Sequence, residues 1–286
     1  MNHLPWEPDY SDRIMIIAPH PDDEVLAAGG VIAKVLKSSN PSNLRVIIAT
    51  NGDGSYATAF LHGSHFPSKE NFQRQAIIRQ RESLNALTSL GMKDSHTHFF
   101  GFPDRGLTAL WKGHWDHEHP YRSSTTGYKS STQAVNSPVL PYTKASLEKL
   151  FENELLEFRP TIIIMPHPDD NHSDHSTLAG FVLLSVRPYI EAHHSPPLLF
   201  AYWMWQQEKP WQTGARPHDL TSFYSQADSA RKPDLHLMLN PEIQAQKTRA
   251  LQHYSSQKIA AGKIFRDTFS RMYESFTPLY LTLNYD

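Results

Sequence analysis

The run Ile14-Met15-Ile16-Ile17-Ala18 stops abruptly in Pro19-His20-Pro21-Asp22-Asp23-Glu24, and no other stretch constrains the fold as much. A short isoleucine-rich run, apolar at every position, suits a strand buried on both faces of a parallel sheet. Val25 to Leu36 then reads as a helix. The histidine and carboxylates therefore fall in a strand-to-helix turn beyond the carboxyl end of a strand, where open α/β sheets place their ligand sites. The arrangement recurs downstream, where Thr161-Ile162-Ile163-Ile164-Met165-Pro166 leads into His167-Pro168-Asp169-Asp170-Asn171-His172-Ser173-Asp174-His175. Two such loops on parallel strands face the same sheet edge, so their side chains can converge on one ion. The expected fold is α/β, a Rossmann-like, mostly parallel sheet with helices on both faces.

Any such ion must be held by nitrogen and oxygen. The chain has no cysteine and 17 histidines, which excludes disulfides and thiolate zinc sites and leaves His, Asp and Glu as donors. A length of 286 residues allows a substantial core, and one domain spanning 1–286 is expected. A net charge of -2 gives no reason to expect nucleic acid as a partner. There is no long apolar span, so no membrane span is expected. The segment Met1 to Tyr10 lacks a basic region followed by an apolar one, so no secretory signal is read and a cytoplasmic location is expected. A homo-oligomer is left open.

Leu44 to Thr50 reads as a second buried strand. Its end, Asn51-Gly52-Asp53-Gly54-Ser55, lacks the Rossmann and P-loop patterns and is expected to line a substrate pocket. Asn71 to Leu90 is expected to be helical, with Ile77, Ile78, Leu84, Leu87 and Leu90 as its apolar positions and Gly91 as its stop. His96 to Phe100 reads as a short strand. Trp111 to Tyr142 shows little apolar periodicity and is read as a long surface insertion; loops of such length are often functional, so it is expected to wall part of the cleft. Further expectations are a helix over Thr143–Phe158, a strand over 161–166, a helix over Thr177–Ile190, strands over Leu198–Trp205 and Asp234–Leu239, and a helix over Pro241–Ile259.

Ala18-Pro19-His20-Pro21-Asp22-Asp23-Glu24 resembles the signature of the PIG-L/LmbE-type metal-dependent N-acetylglucosaminyl deacetylases, and His172-Ser173-Asp174-His175 resembles that family's second motif. Lesser matches fall in order: Thr50-Asn51-Gly52-Asp53, Arg79-Gln80-Arg81-Glu82 leading to Leu90-Gly91, Gly101-Phe102-Pro103-Asp104-Arg105-Gly106-Leu107, and Ala250 to Gln257. The resemblance implies an LmbE-like fold and removal of acetate from an N-acetylglucosamine-containing substrate, a small-molecule sugar or sugar conjugate. A catalytic zinc site commonly has three protein ligands and an open position for water. His20, Asp23 and His175 form such a set, and Zn2+, Fe2+ or another divalent metal suits it. Asp22 is then the general base that takes a proton from the attacking water, and His172 stabilises the oxyanion, most effectively as imidazolium. Asp174 supports that charge or orients a histidine. The residues alone leave Asp22 and Asp23 interchangeable; the resemblance implies the assignment given. It also implies that Arg79 and Asp104 contact the sugar, against the plainer readings of a helix-surface salt bridge and a turn-forming aspartate.

Other clusters carry less. His167-Pro168-Asp169-Asp170 repeats the first motif but reads as a structural turn rather than a second metal site. Asp170 stands where some family members carry a tyrosine, two positions before His172. In Gly113 to His119, extended alternation would put His117 and His119 on one side, but no strand or helix signal holds the stretch, so adventitious metal binding or none is expected. Tyr202-Trp203-Met204-Trp205 reads as core or edge strand rather than a sugar-stacking platform. Two rival functions remain. One is a different metallohydrolase, such as an amidase on a sugar conjugate or a phosphoesterase. The other is an inactive carbohydrate-binding homologue, whose expected sign, loss of the base, is absent because Asp22 is present.

Overall fold

The computed structural model describes residues 4–38, 40–60, 67–135, 137–193, 195–204, 224–225, 235–258 and 271–281. Its strands are β1 (Leu4–Pro5), β2 (Ile14–Ala18), β3 (Leu44–Thr50), β4 (Thr97–Phe102), β5 (Ile162–Pro166), β6 (Leu198–Tyr202), β7 (Tyr224–Ser225), β8 (Leu235–Met238) and β9 (Tyr273–Leu281). Its α-helices are α1 (Asp23–Ser38), α2 (Tyr56–Phe60), α3 (Lys69–Ser89), α4 (Leu107–Lys112), α5 (Lys144–Phe158), α6 (Ser173–His193) and α7 (Pro241–Leu251).

Every residue of β2 is buried. Ile14, Ile16 and Ala18 face a core shared with Val25 and Ile32 of α1, Leu87 of α3 and Ile243 of α7. Met15 and Ile17 face the opposite core, with Leu107 of α4, Phe151 of α5 and Leu178 of α6. This period-two division is why the strand is apolar at every position, and it places helices on both faces of the sheet. The strand order is β1-β8-β9-β6-β5-β2-β3-β4, with β7 paired to β9. From β6 to β4 all neighbours are parallel, and β9 runs antiparallel to β6, β7 and β8. The sheet is thus mixed but mostly parallel, as expected. The chain leaves β2 towards β3 and β4 and returns on the other side with β5 and β6. That switch point opens a crevice at the carboxyl ends of β2 and β5.

Several boundaries differ from expectation. The helix α3 begins at Lys69, two residues early, where the Asn71 side chain accepts from the Ser68 N–H. Of its expected apolar positions, Leu87 and Leu90 are buried in the core and Leu84 packs against it, but Ile77 is exposed, and Gln75, Arg79, Gln80, Glu82 and Ser83 are buried as well. Polar partners outside the helix receive those polar side chains. The helix expected from Thr177 begins at Ser173, so Asp174 and His175 lie in its first turn. The strand expected over Leu198–Trp205 ends at Tyr202, and the helix from Pro241 ends at Leu251; Trp205, Asp234 and Ile259 lie outside the described residues.

The expected surface insertion is partly built into the body. Tyr142 is buried against Phe102. Gln80 donates to Gln133 O at 2.9 Å and accepts from Val135 N at 2.9 Å. Gly101, at φ +74, lies so close to the insertion that a Cβ would stand 2.4 Å from Ala134 Cβ. The insertion therefore packs beside the edge strand β4.

The helix α1 breaks at Ala28 (φ -136, ψ 20). The backbone groups freed there are met by a buried ion pair. Glu274 accepts from Gly30 N at 2.6 Å and Val31 N at 3.0 Å, and Lys247 donates to Leu26 O at 2.8 Å and to Glu274 at 2.6 Å.

Candidate active site

The loop after β2 is short, because α1 begins at Asp23 itself. Asp22 takes φ +133, a conformation that side chains with a Cβ rarely adopt. The Pro21–Asp22 peptide is gripped at both ends. Arg79 Nη2 donates to Pro21 O at 2.8 Å, and Asp22 N donates to Glu24 Oε2 at 2.9 Å. The same guanidinium pairs with Asp22 Oδ2 at 3.0 Å and donates to Gly52 O at 2.9 Å. Gly52 has φ +62, and a Cβ there would lie 2.4 Å from Arg79 Nη1, so the turn after β3 and the guanidinium fit only because that residue is glycine.

Asp104, after β4, joins the same edge. It accepts from Gly54 N at 3.0 Å, and its own N–H donates to Asp53 Oδ1 at 2.8 Å. Its other oxygen lies 3.3 Å from His20 Nε2.

The loop after β5 is held by bonds among its own residues and by the end of β6 and the residues after it. Asp169 N donates to His167 Nδ1 at 3.0 Å, Asp170 N to His167 O at 3.0 Å, and His172 N to Asp170 Oδ1 at 2.9 Å. Asp170 Oδ2 accepts from Met204 N at 2.9 Å and lies 3.6 Å from His175 Nδ1. His167 stacks on Trp203, with centroids 3.8 Å apart.

The two loops meet around Asp23. Its Oδ2 lies 3.0 Å from His20 Nδ1 and 3.2 Å from His175 Nε2. Each imidazole turns its other nitrogen towards an outer carboxylate: His20 Nε2 to Asp104 and Asp174 (3.4 Å), His175 Nδ1 to Asp170. The His172 ring completes the group, 4.9 Å from each of the other two by centroid. Its Nδ1 accepts from Asp174 N at 3.3 Å, which leaves Nε2–H as the donor of the neutral ring.

Burial and charge tune these groups. Burial pushes the Asp22 carboxyl up to about 8, against the pull of Arg79. Burial also works against ionising Asp23, but the His175 and His20 charges hold it well below the usual range. His175 is penalised by burial, yet Asp23 and Asp170 raise it to about 9. Burial and the charges of His20 and His175 push His172 down to about 4. The imidazolium expected at His172 is therefore disfavoured in these surroundings.

The donor set suits a divalent cation. Among the described residues, two groups of three bring ligand atoms within 4.8 Å of one another: His20, His172 and His175, and His20, Asp104 and Asp174. Asp23 is in neither group but lies between the two imidazoles expected to be its co-ligands. Neither ring nitrogen of His175 makes a well-formed hydrogen bond, although the ring is fully buried, as suits a nitrogen available to a metal. The His114 to His119 stretch forms no such group among the described residues. His114 Nδ1 instead pairs with His119 O at 2.8 Å.

Of the expected site residues, His20, Asp22, Asp23, His172, Asp174 and His175 come together. Arg79 and Asp104 also lie here, but their bonds run to the chain itself, and both are buried. Arg79 is buried rather than on a helix surface. Three participants carried no expected role: Glu24, Ser83 and Tyr254, which bond to one another beneath Asp22. The spacing of Gln75, Arg79 and Ser83 puts three polar side chains on one face of α3, a pattern that an ordinary solvent-facing side shares.

Residues 15–185 match the family model described as PIG-L, GlcNAc-PI de-N-acetylase. No curated protein matches the sequence. Among solved structures, a deacetylase triple mutant from the teicoplanin biosynthetic pathway is similar (TM-score 0.58, 16% identity, covering 95% of this chain and 99% of that one). So is an N,N'-diacetylchitobiose deacetylase from Pyrococcus horikoshii (TM-score 0.55, 16% identity, 95% and 84%). A 4-carboxy-2-hydroxymuconate hydratase from Pseudomonas putida is similar too (TM-score 0.51, 13% identity, 96% and 97%). At these identities the likeness is one of fold, and the fold carries more than one chemistry.

Proposed function

The chain belongs to the PIG-L de-N-acetylase family, and from that premise we propose that it is a metal-dependent hydrolase that removes the N-acetyl group from an N-acetylglucosamine-containing sugar or sugar conjugate. The observation that carries the proposal is the position of Asp23, whose carboxylate lies within reach of His20 Nδ1 and His175 Nε2 at once. Those three side chains are the ligands we assign. The outer carboxylates Asp104, Asp174 and Asp170 fix the ring orientations, an arrangement typical of metal-bound histidine. Zinc or ferrous iron suits two imidazoles and one carboxylate. When bound, such a cation supplies an activated water and a Lewis acid for the acetyl carbonyl.

The chain's own residues supply the proton transfers. Asp22 is the general base; burial raises its pKa to about 8, near enough to neutrality for it to accept a proton and return it to the leaving amine. Arg79 keeps its carboxylate in place. His172 acts through its neutral Nε2–H as a donor to the oxyanion rather than as imidazolium. Arg79 and Asp104 serve the sugar indirectly, by holding Asp22 and His20.

The test is acetate release from a panel of N-acetylated sugars by metal-loaded protein, wild type beside Asp22→Asn. Release by the wild type, lost in a variant that still binds one metal, is the expected result. Absence of release from every sugar and conjugate tried would sink the deacetylase reading and favour another hydrolase class.

A further inference from the structure

We propose that Glu24 is a positioning residue which, anchored by Ser83 and Tyr254, holds the Pro21–Asp22 peptide in its unusual orientation and so sets the Asp22 carboxylate against Arg79. The inference rests on the reading of Asp22 as the base. Glu24 is fully buried, as are Ser83 and Tyr254. Its two oxygens divide the work. Oε2 accepts from Asp22 N at 2.9 Å, and Oε1 accepts from Ser83 Oγ at 2.6 Å and Tyr254 OH at 2.5 Å. A carboxylate is suited to this place because all three neighbours are donors.

The peptide it holds cannot settle by local forces. Asp22 stands at φ +133, where the backbone is strained for any residue with a Cβ. Its N–H precedes α1 and has no place in the helix ladder. Without Glu24 that N–H would be buried and unpaired, unless the peptide rotates and the φ relaxes. Rotation would also pull Pro21 O from Arg79 Nη2, now 2.8 Å away. Ser83 and Arg79 lie one turn apart on α3, so a single rigid helix anchors both ends of the peptide. Tyr254, beyond α7, adds the third fixed point. Through this frame, residues distant in sequence determine where the Asp22 carboxylate stands.

The experiment combines crystal structures with steady-state kinetics on metal-loaded Glu24→Leu, Glu24→Gln and the double variant Ser83→Ala/Tyr254→Phe, with metal content measured for each. In Glu24→Leu, Asp22 should leave the positive-φ region and its contact with Arg79. The kcat should fall about 100-fold, as an ångström-scale misplacement can cause, with KM and metal content unchanged. Glu24→Gln, which keeps one acceptor for Asp22 N, should restore the conformation and most of the rate. A folded Glu24→Leu protein that keeps the Asp22 φ and its Arg79 contact would overturn the proposal, as would a loss that appears in KM or metal content alone. If Glu24→Leu does not fold, the double variant decides in its place, since an unanchored Glu24 should move Asp22 in the same direction and an unmoved Asp22 overturns the idea. Should wild type release no acetate, the deacetylase reading falls, and the Asp22 conformation in the crystal structures still judges the role of Glu24.

Discussion

The same four residues, His-Pro-Asp-Asp, follow two neighbouring parallel strands, at 20–23 after β2 and at 167–170 after β5. They do different things. In the first copy the histidine stands at the centre of the site, the first aspartate is strained, and the second bridges two imidazoles. In the second copy the histidine stacks on Trp203, and the last aspartate backs His175. The cause is the length of chain before the next helix. The helix α1 starts within the first tetrapeptide, where Asp23 N donates to His20 O at 3.2 Å and His20 N to Asp23 Oδ2 at 3.1 Å, while the Pro21–Asp22 peptide between them is held by Arg79 and by Glu24, which Ser83 and Tyr254 anchor. The helix α6 starts three residues after the second, and that turn closes through bonds among residues 167 to 172. Both copies close the same bond from the last aspartate N–H to the histidine O, and what differs is the middle of each turn, braced by Arg79 and Glu24 in the first and by the His167 ring in the second.

The contrast can be broken by removing a brace from each turn. The largest expected effect is in Arg79→Leu, which strips the partner from a buried carboxylate and should cost about 3–5 kcal/mol, read by urea unfolding. His167→Leu, which removes one acceptor from the second turn, should cost about 1–2 kcal/mol. Equal costs would dissolve the distinction. Next comes Gly52→Ala, which places a Cβ against the guanidinium at a positive φ and should cost about 2 kcal/mol, read as a lowered Tm. A smaller effect on stability, but a selective one on the metal, is expected from Asp170→Asn. Removing the carboxylate behind His175 should weaken metal affinity by about 10–100-fold, measured by titration calorimetry, with the Asp22 environment unchanged.

The smallest effect provides a reference away from both turns. At the opposite ends of β3 and β4, Glu154 meets His98 Nδ1 at 2.5 Å and Arg45 Nη1 at 2.8 Å. Burial works against its charge, but the His98 and Arg45 contacts win and hold the carboxyl below its usual 4.5. A depressed folded pKa contributes stability that is present above the unfolded value and lost as pH falls through the folded one. The wild type should therefore lose about 1 kcal/mol from this group on acidification below about 4.5, and Glu154→Gln should flatten that part of the pH-stability curve. A curve of unchanged slope would show that the acid-sensitive groups lie in the turns.

The sequence by itself determined the mostly parallel sheet and the edge at which the candidate site residues gather, because a strand buried on both faces must be apolar throughout and must hand its polar residues to the crevice beyond its carboxyl end. It also determined which residue types converge, since two such strands side by side share one edge. What it could not determine is what each carboxylate does there. Asp22 and Asp23 differ through Arg79, 57 positions from Asp22, and through Tyr254, farther still. The buried polar face of α3 has the same cause: Gln75, Arg79, Gln80 and Ser83 find their partners only when distant segments are brought over them. Apolar burial leaves a local periodic trace in sequence. A buried hydrogen-bond frame does not, because its partners meet only when the tertiary structure has formed.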